Sequence, residues 1–197
     1  MNILKVIHEC TIVARNIIDD FIEVPAAFLA ADPAARNKRE IIFLYPGFRA
    51  LVSHRVAHAL WQNGAAFAAR TCSEFTRFHT GIEIHPAASL GRRVVIDHGM
   101  GTVIGETAVV KDDVVLYQGV TLGSTQNTKS KRHPTIENGA TIGVGASVLG
   151  DIKIGSRAKV GAGAVVLKSV DSLESVGGIP AQILKKTHNL RSIPVRS

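Results

Sequence analysis

Two histidines stand where a regular sequence is interrupted. From Ile84 onward an aliphatic residue opens each block of six: IHPAAS, LGRRVV, and later IGETAV, VKDDVV and LYQGVT. The block opened by Ile96, IDHGMGTV, runs to eight residues and carries Asp97 and His98. The block opened by Leu122, LGSTQNTKSKRHPT, runs to fourteen and carries Arg132 and His133. Imidazole titrates near neutrality, so a histidine in such a place can take up a proton and return it. Asp97 beside one histidine and Arg132 beside the other add opposite charges. The chemistry these residue types allow is proton transfer, and it coincides with both departures from the six-residue step.

The elements that would position them follow from the period. After the fourteen-residue block the sequence resumes as IENGAT, IGVGAS, VLGDIK, IGSRAK, VGAGAV and VLKSVD. A small or β-branched residue often holds the fifth place. Six residues are too few for a βαβ unit and clash with helical periodicity. They suffice for one short strand and a turn. Three such sides close a triangular coil of about 18 residues, and coils stack as a parallel β-helix. A sandwich would space its strands at about 8–12 residues, whereas ten of the twelve steps between block starts are six. The interior of such a prism is filled by its aliphatic ladder, so function belongs to what protrudes. The two extra residues beside His98 should push out a corner, and Gly123 to Thr135 should form a loop.

Residues 1–80 read differently. In EIIFLYPGFRALVSHRVAHALW, Phe48, Leu51, Val52, Val56, Ala59 and Leu60 recur at helical spacing. Asn63-Gly64 ends that helix, AADPAARNK is a connector, and AAFAARTCSEFTRFHT supplies another helix before Gly81. The expected organisation is α+β: an α-helical domain over 1–80, a β-helix over 81–184, and a C-terminal tail over 185–197. His54 and His58 stand one helical turn apart, but no third ligand accompanies them. Packing is the simpler reading, and no metal is expected.

Composition narrows the classes. The net charge is +7, yet the Lys and Arg are scattered without base-stacking aromatics, which make up 5% of residues together with the rest of their kind. Nucleic acid is therefore not expected, and a phosphate-bearing ligand fits the charge better. Two cysteines, Cys10 and Cys72, make no disulfide framework. The first residues lack a basic stretch followed by a clean apolar run, and no apolar run of membrane-spanning length exists. A cytoplasmic protein with no membrane partner is expected.

The hexapeptide pattern resembles the left-handed β-helix acyltransferases. Within them, GIEIHPAASLGRRVVIDHGMGTVIGETAVV, then GVTLG and KRHPTI, resemble the serine O-acetyltransferases over residues 81–184. The pairing of Asp97-His98 with Arg132-His133-Pro134 is the specific part. The resemblance implies a left-handed β-helix and acetyl transfer from acetyl-CoA to the serine hydroxyl, giving O-acetylserine. Such a transfer needs a base for the hydroxyl proton, and His98 is the candidate. The family places a carboxylate before its IHP to orient that base, here Glu83. For serine it points to Asp32, Asp97, Arg132 and His133, a set suited to a zwitterion. For acetyl-CoA the matching positions are Gly123, Ser124, Val144, Lys159 and Ala162.

Some features depart from the family pattern. LGSTQ stands where the family commonly reads LGGTG, and Val144 replaces a smaller residue. Another acyltransferase of this fold, acting on homoserine, a related hydroxyl compound or a sugar, therefore stays open, as does an inactive scaffolding homologue. A homotrimer is expected, with a hexamer left open. Family members that dock into cysteine synthase do so through a tail ending in isoleucine. This chain ends in Ser197, so no tight complex with cysteine synthase is expected.

Overall fold

The computed structural model describes residues 3–184, with side chains described for all of these except 3–10 and 12. The tail over 185–197, and with it the expectation about cysteine synthase, lies outside the described residues. Four helices come first: α1 (Ile3–Ala31), α2 (Lys38–Leu44), α3 (Pro46–Gln62) and α4 (Ala66–Thr80). The stretch that reads as one helix around Phe48 is in fact two. Pro46 lacks the N–H that would continue α2 and sits instead at the first turn of α3, its favoured place. Asn63 caps the end of α3, and Gly81 closes α4 in the left-handed conformation at φ 70°.

Beyond Gly81 the chain winds into a left-handed parallel β-helix with three faces. The first face stacks β1 (Glu83–Ile84), β4 (Val103–Ile104), β7 (Thr121–Gly123), β10 (Ser147–Leu149) and β13 (Val165–Val166). The second stacks β2 (Ser89–Leu90), β5 (Val109–Val110), β8 (Thr135–Ile136) and β11 (Lys153–Ile154). The third stacks β3 (Val95–Ile96), β6 (Val115–Leu116), β9 (Thr141–Ile142), β12 (Lys159–Val160) and β14 (Ser175–Gly177), and ends on β15 (Gln182–Ile183). Among the described residues only the last pairing, β14 with β15, is antiparallel. The opening aliphatic residue of each block points inward, as Ile104, Leu116, Leu122, Ile136 and Ile142 show. So does the fifth residue, as at Ala88, Ala108, Ala140 and Ala146. Apolar burial of this kind is worth roughly 25 cal/mol per Å².

The register records both interruptions. Val103 pairs with Thr121, a step of 18, but Glu83 pairs with Val103, a step of 20. Thr121 pairs with Ser147, a step of 26, because the long loop intervenes. The helical part docks on the first coil through buried polar contacts. Arg55 forks onto Asp20 at 2.8 and 3.2 Å and reaches the carbonyls of Leu90 and Gly91, each at 2.6 Å. Ser73 donates to the Ile84 carbonyl at 2.6 Å. His54 and His58 point their rings at the Ala88 and Pro86 carbonyls, at 3.1 and 2.7 Å. Burial, the larger cause, pushes the His54 pKa down to about 3, so it packs as a neutral imidazole.

Candidate active site

The corner from the third face back to the first is where the eight-residue block falls. In the regular coils a left-handed glycine stands two residues before the next strand: Gly119, Gly145 and Gly163. Gly101 holds the same place before β4. The two extra residues therefore fall between Ile96 and Gly101, and His98 and Gly99 both take positive φ there, 56° and 77°. Positive φ in a histidine is uncommon and costs conformational energy. The fold keeps it at the one corner of this column that departs from the regular pattern. His98 is exposed while Asp97 beside it is buried.

Residues from the helical part meet this corner. Asp32 follows α1, and its carboxylate accepts from the Tyr45 hydroxyl at 2.7 Å and the Ala34 amide at 2.8 Å. The Tyr45 bond, then the Ala34 amide, hold the Asp32 carboxyl below its usual range, and the charge of His98 adds a smaller effect in the same direction. The Tyr45 phenol is in turn pushed up to about 12, chiefly by its bond to Asp32, with a smaller contribution from Asp97. Asp32, Tyr45, Asp97 and His98 thus form one electrostatic group. Glu83 sits on β1 at the same corner, since Gly101 donates to Gly81 at 2.8 Å. Its carboxylate lies 3.9 Å from Arg77, and among the described residues it makes no hydrogen bond to His98.

Arg132 and His133 lie at the other end of the first face, where the long loop returns. Arg132 pairs with Glu106 at 2.5 Å, and this bond is the main cause of the lowered Glu106 pKa. The His133 ring lies against Gly105: a Cβ there would meet ring atoms at 2.1 and 2.2 Å, so any side chain would displace the ring. His133 Nδ1 is 2.9 Å from the Thr107 hydroxyl and 3.2 Å from the Thr107 amide. Lys131 donates to the Thr107 carbonyl at 2.8 Å and to the His133 carbonyl. Burial, then the charges of Arg132 and Lys131, hold the His133 pKa below its usual value. His85 completes the group, but its Nδ1 caps the Ala87 amide at 3.0 Å and its ring packs edge-on to Trp61.

One chain therefore splits the expected residues between two corners. Asp32, Glu83, Asp97 and His98 share the first; Arg132 and His133 occupy the second, across the width of the first face. The residues expected to meet acetyl-CoA divide likewise. Val144 and Ala162 stack above the His98 corner, tied by the Gly163 amide donating to Val144 at 2.7 Å. Gly123 and Ser124 lie at the other corner, and Ser124 turns its hydroxyl onto Gln126 at 2.7 Å. Lys159 is exposed on the third face. Glu106, Thr107, Lys131 and Tyr45 were not singled out by sequence. Glu106 and Thr107 stand two and three residues after Ile104, which reopens the rhythm after the first interruption, and Lys131 lies within the second.

Comparison with known proteins agrees with this architecture. The family described as bacterial transferase hexapeptide (six repeats) matches residues 133–168. A serine acetyltransferase of Synechococcus elongatus is 53% identical over 156 residues, covering 79% of this chain and 64% of its own length. One from Bacillus licheniformis is 54% identical, covering 78% of this chain and 71% of its own. The chain thus spans less than two thirds of the first relative and somewhat more of the second. The crystal structure of serine acetyltransferase from Brucella abortus in complex with coenzyme A superposes with a TM-score of 0.81 at 39% identity, covering 87% of this chain and 67% of that one. With its four helices, its hexapeptide β-helix and these relatives, the chain belongs to the serine acetyltransferase family.

Proposed function

We propose that this chain transfers acetyl from acetyl-CoA to the hydroxyl of serine, in a site built between two protomers of a homotrimer. The observation that supports it is the division of the site residues between two corners of one face. The corner with His98, Asp32 and Asp97 offers carboxylates for an ammonium, while the neighbouring Arg77 is engaged by Glu74 and Glu83. The corner with Arg132 and His133 offers a cation for a carboxylate, and its imidazole Nδ1 is already engaged by the Thr107 amide and hydroxyl. The two sets complement each other for a zwitterion, and cyclic packing of three prisms sets unlike corners against each other. The hexamer left open above would be a further pairing of such trimers.

The chemistry then follows. Asp32 and Asp97 hold the serine ammonium, and Arg132 and His133 its carboxylate. The proton of the serine hydroxyl passes to His98 as the oxygen bonds to the acetyl carbonyl carbon. The carbon–sulfur bond breaks, and the same proton returns to the departing thiolate. O-acetylserine and free coenzyme A leave, so atoms and charge balance. Glu83 orients the imidazole and steadies its charged form, as a carboxylate does in other base-assisted transfers. That role needs a rotation away from Arg77, an exposed contact of little strength. The fit of coenzyme A rests on the open column of corners at Gly145 and Gly163, where a Cβ would meet nothing within 4 Å. Val144 and Ala162 line that column for the apolar arm, and Lys159 offers charge to a phosphate.

Thiol release from acetyl-CoA, measured against serine, homoserine, threonine and an amino sugar, tests this reading. Serine is expected to give the largest kcat/KM. Faster turnover of homoserine would move the acceptor, and no release with any acceptor would leave a scaffolding protein.

A further inference from the structure

We infer that Thr107 is a positioning residue that locks His133 as the neutral tautomer with its proton on Nε2, making His133 a hydrogen-bond donor to the substrate and not a base. The argument is a count of protons and lone pairs. The Thr107 amide points at His133 Nδ1 from 3.2 Å, and a peptide N–H can only donate. Nδ1 must therefore carry a lone pair and no proton. The Thr107 hydroxyl agrees independently. It accepts from the amides of Arg132 and His133, each at 3.0 Å, which occupies both its lone pairs. Its own proton is left for Nδ1, 2.9 Å away. With two donors on Nδ1, the ring proton resides on Nε2.

The surroundings hold this arrangement. The ring is backed by Gly105, and Lys131 ties the Thr107 and His133 carbonyls together. Nε2 makes no hydrogen bond among the described residues and is not fully enclosed, so its N–H is free to meet a ligand. A free N–H beside Arg132 suits a carboxylate oxygen and repels an ammonium. This deepens the function proposed above and rests on serine binding at this corner.

Long-range proton–nitrogen NMR of the full-length protein, labelled with ¹⁵N-histidine and free of substrate, tests the tautomer. The His133 signals are those lost in His133→Asn. At neutral pH Nδ1 is expected unprotonated and Nε2 protonated. A protonated Nδ1, or shifts averaged between tautomers, would overturn the inference. Kinetics add the second arm. Thr107→Val is expected to raise the KM for serine about tenfold, the scale of one lost hydrogen bond with its geometry, and to leave the KM for acetyl-CoA unchanged. Thr107→Ser is expected to restore it. An unchanged serine KM in the valine variant, or a serine variant as impaired as valine, would overturn the positioning role. Should the valine variant fail to fold, the NMR result on the unmodified protein decides alone. An enzyme indifferent to serine would sink the proposed function while leaving the tautomer readout intact.

Discussion

Replacing Gly105 by alanine puts a single methyl where the structure has no room. The new Cβ would stand 2.1 Å from His133 Cδ2 and 2.2 Å from Nε2. Carbon contacts settle near about 3.5–4.0 Å, so the ring must retreat by more than about 1 Å. Its bonds from the Thr107 amide and hydroxyl, now 3.2 and 2.9 Å, would then stretch out of hydrogen-bond range. A misplacement of about 1 Å in a substrate-positioning group costs on the order of 100-fold in rate. The fold should survive, because overpacking of this kind costs about 1–3 kcal/mol against a stability of about 5–15 kcal/mol. Steady-state kinetics with each substrate varied, together with a thermal melt, reads both effects. The expected result is a fall of about 100-fold in kcat/KM for serine with little change in KM for acetyl-CoA. A folded variant within about threefold of the unmodified kcat/KM would refute the placement of His133 in the serine site.

Three further outcomes are expected. His98→Ala lowers kcat by at least about 100-fold with an unchanged melt, and near-normal turnover would remove His98 from the role of base. Tyr45→Phe should lower the urea midpoint at pH 7, because it removes the bond that chiefly holds the Asp32 carboxyl below 3.8. A depressed carboxyl pKa stabilises above the unfolded value and loses that effect as pH falls through the folded one, so the difference between variant and unmodified protein should shrink below about pH 4; a difference that grows in acid contradicts the assignment. Arg55→Leu strands the buried Asp20 carboxylate and should cost about 3–5 kcal/mol, read as a lowered melting temperature; a melt within a degree of the unmodified protein would show that this pair does not dock the helices.

The β-helix was legible because its rule is local: an aliphatic residue every sixth position must face one interior. Ile104, Leu122 and Ile142 sit where that rule puts them, and so do the two departures from it. The break at Ile96 was visible as spacing, though not that His98 and Gly99 would both take positive φ around an otherwise regular Gly101. Side-chain partners were less legible. Glu106 meets Arg132 across 26 positions only because the loop returns the chain to the coil below. Tyr45 reaches Asp32 because Pro46 breaks the helix there, and the apolar periodicity on either side hid that break. The separation of His98 from His133 could not be read from spacing, since it depends on which corner of the prism each interruption falls on.

Mixed oligomers test most directly whether the site is shared between protomers. His98→Ala spoils one corner and Arg132→Ala the other, so each variant alone should be nearly inactive. In a cyclic trimer holding both, one interface unites an intact His98 corner with an intact Arg132 corner. Random mixing in equal amounts makes about three quarters of trimers mixed, each with one working site of three. Co-expressed and purified together, the two variants are expected to recover about a quarter of the unmodified rate. Activity no greater than that of the separate variants, in a sample shown by mass spectrometry to contain mixed trimers, would contradict a site built between protomers.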